Sequence, residues 1–328
     1  MHAIKALVVL VVLAAAVAAG WVAYNAMQPR PLPRQPYDFT VKTGAGWKAV
    51  SRQLAEERVF VDPWTLWLLA RLRGSPALHA GTYRLDKPLT GLEILDKLAR
   101  GDVMLVEMRF IEGTTFRQWM AQLAKESRVR ATLAGKPEAE VKAALGIDTH
   151  PEGWLFPDTY RFAPGTSDVE LLKRAHAAMK KRLEEAWAAR EADLPLKSPY
   201  EALILASIVE KETGIAAERP LIASVFVNRL RKGMRLQTDP TVIYGMGEAF
   251  DGNIRKKDLT TDTPWNTYTR DGLPPTPIAM PGQGSLQAVA RPSQSDMLYF
   301  VGKGDGTHHF SRSLEEHNRA VARYQLKR

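Results

Sequence analysis

The stretch Ser198-Pro-Tyr-Glu201-Ala-Leu-Ile-Leu-Ala-Ser-Ile-Val-Glu210-Lys-Glu-Thr-Gly214 has both ends of a helix written into it. Ser198 and Glu201 stand at capping-box spacing, where each side chain can satisfy the other's backbone N–H. Pro199 suits the first helical position, and Gly214 suits a left-handed stop. The pattern predicts a helix over 199–213. Its interior is almost wholly apolar, so the helix is expected to be buried. Glu210 follows Ala206 by four positions and Leu203 by seven, which puts it on a small, apolar face with room beside the carboxyl for a substrate. Apolar surroundings and the negative end of the helix dipole would both favour its protonated form, with Lys211 working against them. A carboxyl that keeps its proton near neutral pH is what a general acid needs. The bland reading stands beside this one: a glutamate in a final turn, followed by Lys211 and Glu212, is also what a solvated surface patch looks like. Spacing alone does not make Glu210 catalytic.

Outward from this helix, two stretches resemble each other. One is Phe39-Thr-Val-Lys-Thr-Gly44-Ala-Gly46-Trp47 with Leu54 and Ala55 beyond it; the other runs from Val106 through Gly113 and Phe116 to Leu123 and Ala124. Each reads as a short alternating run, a glycine turn and apolar residues at helical spacing, that is, strand–turn–helix. Between them Leu78–Leu85 reads as a further strand, and Thr90 starts a short helix ending near Gly101. Residues 37–104 therefore form a small α+β module, loosely similar to LysM-type glycan-binding folds; a plain structural domain is the alternative. Trp47, Trp64 and Trp67 could stack on sugar rings, although aromatics at helical spacing more often serve the core. Ser167–Arg190 reads as a long amphipathic helix with a basic solvated face.

Ala6–Tyr24 carries no charge and is long enough to span ~30 Å of hydrocarbon. Lys5 precedes it, an arrangement that keeps the N-terminus inside and exports the rest. Trp21 and Tyr24 stand where an interfacial aromatic belt would be. A cleaved signal peptide is the competing reading, with Ala16, Ala18, Ala19 and Gly20 as small residues for a peptidase. Under both, everything after about residue 30 lies outside the cytoplasm. Residues 1–27 are then the anchor, and 28–36, with four prolines, a stiff stalk.

A net charge of +9 admits nucleic acid, an anionic membrane or an acidic polymer as partner. The basic residues are scattered and no nucleic-acid module is visible, so no nucleic acid is expected. The absence of cysteine excludes disulfides, thiolate metal sites and cysteine nucleophiles. His308 and His309 are adjacent rather than one helical turn apart, which makes a poor zinc site. Asp251-Gly-Asn-Ile254 is not a complete calcium loop, and no nucleophile elbow supports serine catalysis. No cofactor is expected.

Several ordered stretches together resemble the endolytic murein transglycosylase family (MltG, or YceG-like). They are Pro151-Glu-Gly-Trp-Leu-Phe-Pro-Asp-Thr-Tyr160, Ala206-Ser-Ile-Val-Glu-Lys-Glu-Thr213, Ala223-Ser-Val-Phe-Val-Asn-Arg-Leu230 and Met234-Arg-Leu-Gln-Thr-Asp-Pro-Thr-Val-Ile-Tyr-Gly245. Tyr268, Gly272-Leu-Pro-Pro275, Pro281-Gly282, Leu298-Tyr-Phe-Val301, His309-Phe310 and Glu316-His-Asn318 complete the set, from about residue 39 to the end. The chain departs from the family pattern at Met280, where a smaller or more polar residue is expected, and at Ile111-Glu-Gly-Thr114, where Pro-Glu-Gly is commoner. Neither departure touches the acid/base motif.

The resemblance implies an α+β protein: an N-terminal transmembrane helix, the LysM-like module, and a larger mixed α/β catalytic domain over 105–328. It implies a single-pass protein of the bacterial inner membrane, with its catalytic part in the periplasm or otherwise outside the cytoplasm. Its substrate would be peptidoglycan glycan strands, and penicillin-binding proteins that polymerise glycan would be partners whose strands it limits in length. Glu210 would be the catalytic acid/base, and Gln237, Thr238, Asp239, Asn266 and Tyr268 would line the groove, with hydrogen bonding within their own loops as the alternative role for each of the five. Glu152 would assist in substrate binding, with Asp158 another supporting carboxylate. The implied lyase reaction breaks the bond between N-acetylmuramic acid and N-acetylglucosamine and closes a 1,6-anhydro ring. Since the nucleophile is the sugar's own 6-hydroxyl, one carboxylate suffices where hydrolytic glycosidases need two. A muramidase that adds water and a non-catalytic glycan-binding scaffold are the alternatives.

Overall fold

A computed structural model describes residues 2–326, which fall into two units. The first comprises the chain up to Val106 with Arg161–Gly165. It begins with helix α1 (His2–Met27), then β1 (Tyr37–Val41), α2 (Trp47–Glu56), α3 (Thr65–Leu72), β2 (Gly81–Leu85) and α4 (Gly91–Arg100). Within α1, Ile4–Met27 is long and apolar enough to cross a membrane, with mean hydropathy 2.7.

Strands β1 and β2 pair antiparallel, with Phe39 opposite Tyr83. Alternation sends Tyr37, Phe39, Val41, Tyr83 and Leu85 inward, where they meet Val50, Leu54, Leu66, Ile94 and Leu98. Helix α4 has the expected ends: a reciprocal capping box between Thr90 and Glu93, and Gly101 left-handed at φ 67°. Trp47 is buried and bonds the carbonyl of Pro76, whereas Trp64 is 57% exposed. The chain leaving α1 also meets this core. The last turn of α1 lies on α3 and α4, with Asn25 and Ala26 only 2% exposed. Leu32 packs on the same core and Arg30 N–H bonds the Leu89 carbonyl at 3.2 Å. Apolar side chains at these positions gain more from the module's core than from water.

The boundary between the units falls in the strand pair β3 (Val106–Arg109) and β4 (Thr159–Phe162). The second unit contains α5 (Phe116–Lys125), α6 (Glu138–Leu145), α7 (Asp168–Ala188), α8 (Pro199–Glu212), α9 (Arg219–Arg231), α10 (Asp239–Met246) and α11 (Lys256–Thr260). Then come α12 (Gln283–Ala290), β5 (Tyr299–Gly302), β6 (His308–Ser311) and α13 (Leu314–Tyr324). Helix α8 is its core: Ala202–Val209 are all buried, and α7, α9, α10 and α12 pack around them. A helix apolar on every side can be stable only in such a position.

Both ends of α8 depart from expectation. Ser198 Oγ accepts the Glu201 N–H at 3.3 Å, but the Glu201 carboxylate reaches back to the Lys197 N–H at 2.7 Å instead of closing the box. The helix stops at Glu212 through an extended Thr213 (φ −144°, ψ 137°), and Gly214 is not left-handed. Thr213 Oγ1 accepts the Ile215 N–H at 3.0 Å, a local bond that serves as the stop.

Candidate active site

The Glu210 side chain is 5% exposed, and its carboxylate is held from three directions. Oε2 accepts the Gly282 N–H at 2.9 Å and the Ser285 hydroxyl at 2.7 Å. Oε1 faces Arg219 Nη2 at 3.3 Å. Gly282 is the N-cap of α12, so the unpaired amides and positive dipole end of that helix are turned on the carboxylate.

A second carboxylate belongs to the cluster. Glu112 Oε2 lies 3.7 Å from the same Arg219 Nη2. Burial, reinforced by the charge of Glu210, raises the Glu112 carboxyl above the usual carboxylate range, and Arg219 opposes the rise. Two glycines make room. A Cβ on Gly282 would stand 1.8 Å from Glu112 Oε1, and one on Gly284 would stand 2.4 Å from Arg219 Nη1. The loop carrying Glu112 is seated by bonds from Gly113 N–H to the Met280 carbonyl (2.9 Å) and from Met280 N–H to the Thr114 carbonyl (2.8 Å). Thus the two departures from the family pattern, Ile111–Thr114 and Met280, join each other and the acid/base motif, from which sequence order had separated them. The buried apolar Met280 side chain fixes this junction.

The last three residues of α8 point to three places, as 100° per residue requires. Glu210 enters the cluster just described. Lys211 Nζ bonds the Gly113 carbonyl at 3.1 Å and borders a cavity of about 750 Å³ with Phe116, Glu152, Tyr244 and Trp265. Glu212 borders a cavity of about 450 Å³ with Gln237, Thr238, Asp239, Tyr268, Tyr299 and His308. The structure thus gathers four of the predicted groove residues on the Glu212 side. Tyr268 OH donates to Asp239 Oδ1 at 2.5 Å, and the Thr238 hydroxyl donates to Glu212. Gln237 holds a left-handed φ of 50°, a conformation that costs a non-glycine residue energy and often marks functional loops. Burial pushes Glu212 up to about 7.

Asn266 sits elsewhere. It is fully buried, and its amide bonds the carbonyls of Asp258, Leu259 and Thr261 while its oxygen takes the Tyr268 N–H. It shapes the loop that presents Tyr268. Glu152 lies 2% exposed under the larger cavity, where its oxygens accept Phe116 N–H at 2.9 and 3.1 Å and the Tyr244 hydroxyl at 3.2 Å. Burial pushes its carboxyl up to about 7 despite these bonds. Asp158 is exposed and bonds the N–H of Thr159. His308 pairs with Glu218 at 2.7 Å.

Sequence reading missed Glu112, Arg219 and Ser285. The available signal was Pro281-Gly-Gln-Gly-Ser285, where two glycines at a helix start imply close approach by other groups.

Fold and site together define an α+β protein whose candidate chemistry centres on one buried helix-borne carboxylate. The sequence profile of the YceG-like family matches residues 39–323, and the chain belongs to that family. It is 32% identical to the endolytic murein transglycosylase of Bacillus subtilis strain 168 over 308 residues, which is 88% of this chain and 84% of that protein. Against the endolytic murein transglycosylase of Streptococcus pneumoniae strain D39 the identity is 29% over 290 residues, 78% of this chain but 52% of the pneumococcal one. The crystal structure of a YceG-like protein from Listeria monocytogenes superposes with a TM-score of 0.53 at 29% identity, covering 87% of this chain and 99% of that one.

Proposed function

We propose that the chain is a membrane-anchored endolytic peptidoglycan lytic transglycosylase in which Glu210 is acid and then base. The observation that carries this reading is the set of donors on Glu210. When the protonated carboxyl gives its proton to the glycosidic oxygen, the bond from the muramic C1 to that oxygen breaks and Glu210 becomes anionic. Gly282 N–H, Ser285 Oγ–H and Arg219 are already aimed at the anion, so little reorganisation accompanies the charge. Glu210 then removes the 6-hydroxyl proton as that oxygen closes on C1, and so recovers the proton it gave. Glu112 shares Arg219 with Glu210 and tunes how much of that cation each turn of the cycle can draw on.

Two buried polar atoms around this cluster, Arg219 Nε and Gln283 Oε1, have no partner among the described residues. One is a donor and the other an acceptor, the complement of an acetamido group's carbonyl and N–H. Substrates built from N-acetyl sugars carry that group on every ring. The cavities bordered by Lys211 and Glu212 offer aromatic faces and polar groups on two sides of the α8 terminus, which suits a chain bound at internal positions. Gln237, Thr238, Asp239 and Tyr268 line this groove, Asn266 holds its loop, and Glu152 supports its floor.

The β–α–α–β order of the first unit supports a LysM-like module at residues 37–104, and residues 105–328 are the catalytic domain. Helix α1 anchors the chain in the inner membrane with the rest outside the cytoplasm. Cleavage of nascent strands there limits their length, beside the polymerising penicillin-binding proteins. The test uses purified glycan strands. Glu210→Gln folds as wild type and releases no anhydro-ended fragments; wild-type rates in that variant refute the assignment. Products heavier by one water identify a muramidase instead.

A further inference from the structure

Helix α3 is apolar on its core side and carries large apolar residues on its outer side as well, with Arg71 its one charged residue. Thr65, Leu66, Leu69 and Ala70 face the module's core. The opposite side carries Trp64 and Leu72, 57% and 73% exposed, with Trp67 and Leu68 half-buried beside them. Val61, in the turn leading into the helix, is 61% exposed. Outer faces of helices in small domains ordinarily carry charge, and a contiguous exposed apolar face marks a surface that meets something. Here the one charge of the helix lies among the apolar side chains: Arg71, one turn on from Trp67, sits 5.9 Å from the Trp67 ring, and Arg73, just past the helix end, pairs with Asp96.

The position of α1 says what it meets. Hydrocarbon ~30 Å thick takes up ~20 residues of helix, so a span of Ile4–Met27 leaves the bilayer at or near its own last turn. That same turn is packed on α3 and α4. A methyl group on Gly91 at the start of α4 would meet Ala26 Cα at 3.3 Å and the Phe60 ring at 3.2 Å, and Phe60 is the neighbour of Val61. Packed helices lie about 8–10 Å apart, which places α3 at headgroup level, where the exposed Trp21 and Tyr24 of α1 also lie.

We propose that the outer face of α3, with Trp64, Leu72 and Val61 as its apolar contacts, Arg71 among them reaching to the headgroup phosphates and Arg73 beyond the helix end, rests in the interfacial layer of an anionic bilayer. This rests on reading α1 as a membrane anchor. The second contact prevents the first unit from turning about the α1 axis and fixes which of its faces looks away from the membrane. The outer face of the β1–β2 pair, where Thr40 is exposed, is on the water side.

The chain contains no cysteine, so single sites can be labelled cleanly. Full-length Trp64→Cys, Leu72→Cys, Thr40→Cys and Leu13→Cys are each given a nitroxide and placed in nanodiscs of phosphatidylglycerol and phosphatidylethanolamine. Melting curves matching wild type confirm that each variant is folded. Power saturation should place the label at 13 in the hydrocarbon, those at 64 and 72 within roughly 5–10 Å of the headgroup–acyl boundary, and that at 40 in water. Labels at 64 and 72 as open to a water-soluble relaxant as the one at 40, with 13 buried, overturn the proposal and leave the anchor intact. A water-exposed label at 13 instead removes the anchor reading. Labels at 64 and 72 that stay in water until purified glycan strands immobilise them assign the face to glycan, and that too overturns the proposal.

Discussion

Replacing Glu152 with glutamine should make the protein more stable at pH 8 and leave it unchanged near pH 4. The carboxyl is 2% exposed and is pushed from its ordinary 4.5 to about 7, chiefly by burial. Between those two values the native state holds a proton that the unfolded chain has released. The native state therefore binds more protons, and stability falls as pH rises through this window. Above pH 7 the loss is complete: from 4.5 to about 7, at ~1.4 kcal/mol for each pH unit, it amounts to ~3 kcal/mol. Glutamine has the shape of the protonated acid, still accepts the Phe116 N–H, and cannot ionise. A gain of ~3 kcal/mol corresponds to roughly 6–12 °C in Tm for a unit of this size. Differential scanning calorimetry from pH 4.5 to 8.5 reads it directly. Glu212, also pushed to about 7 by burial, keeps part of the slope, so Glu152→Gln with Glu212→Gln should flatten it further. A Glu152→Gln curve that runs parallel to wild type, or below it at pH 8, would refute the reasoning.

Gly284→Ala places a methyl 2.4 Å from Arg219 Nη1. Its φ is ordinary, so it should fold normally while losing activity nearly to the level of Arg219→Ala, with both read on purified glycan strands. Ser285→Ala removes a 2.7 Å bond to the Glu210 carboxylate and should lower kcat by about tenfold, ~1.4 kcal/mol of barrier, with KM little changed. Glu112→Gln leaves Arg219 to Glu210 alone. It should shift the pH profile of kcat without changing KM, and a purely structural role predicts an unshifted profile. Thr90→Ala removes the reciprocal cap of α4 and should cost ~1 kcal/mol by chemical denaturation.

Local rules made much of the fold legible. Thr90 and Gly101 bracket α4 because a cap and a left-handed glycine act within one turn of chain. Ser198 and Pro199 start α8 for the same reason. The end of α8 was less legible, because Thr213 offered a side-chain bond to Ile215 that competed with the glycine stop. Which core the apolar residues flanking the proline-rich 28–36 stretch would meet was not legible, because composition reports stiffness and not packing partners.

The buried α8, the alternating β1 and β2, and Glu210 as the candidate acid were all legible in the order of residues. These follow from periodicity and from motifs contiguous along the chain. What surrounds that carboxylate emerges only once the chain is folded. Glu112, Arg219 and the Gly282–Ser285 turn come from three separate segments, and the glycines that admit the charged groups carry no side chain to announce a function. Residues two apart on one helix also parted company, with Glu210 facing Arg219 and the Gly282 amide and Glu212 facing another cavity. Charge, burial and hydrogen bonding act through distance in space, which a linear order of residues does not contain.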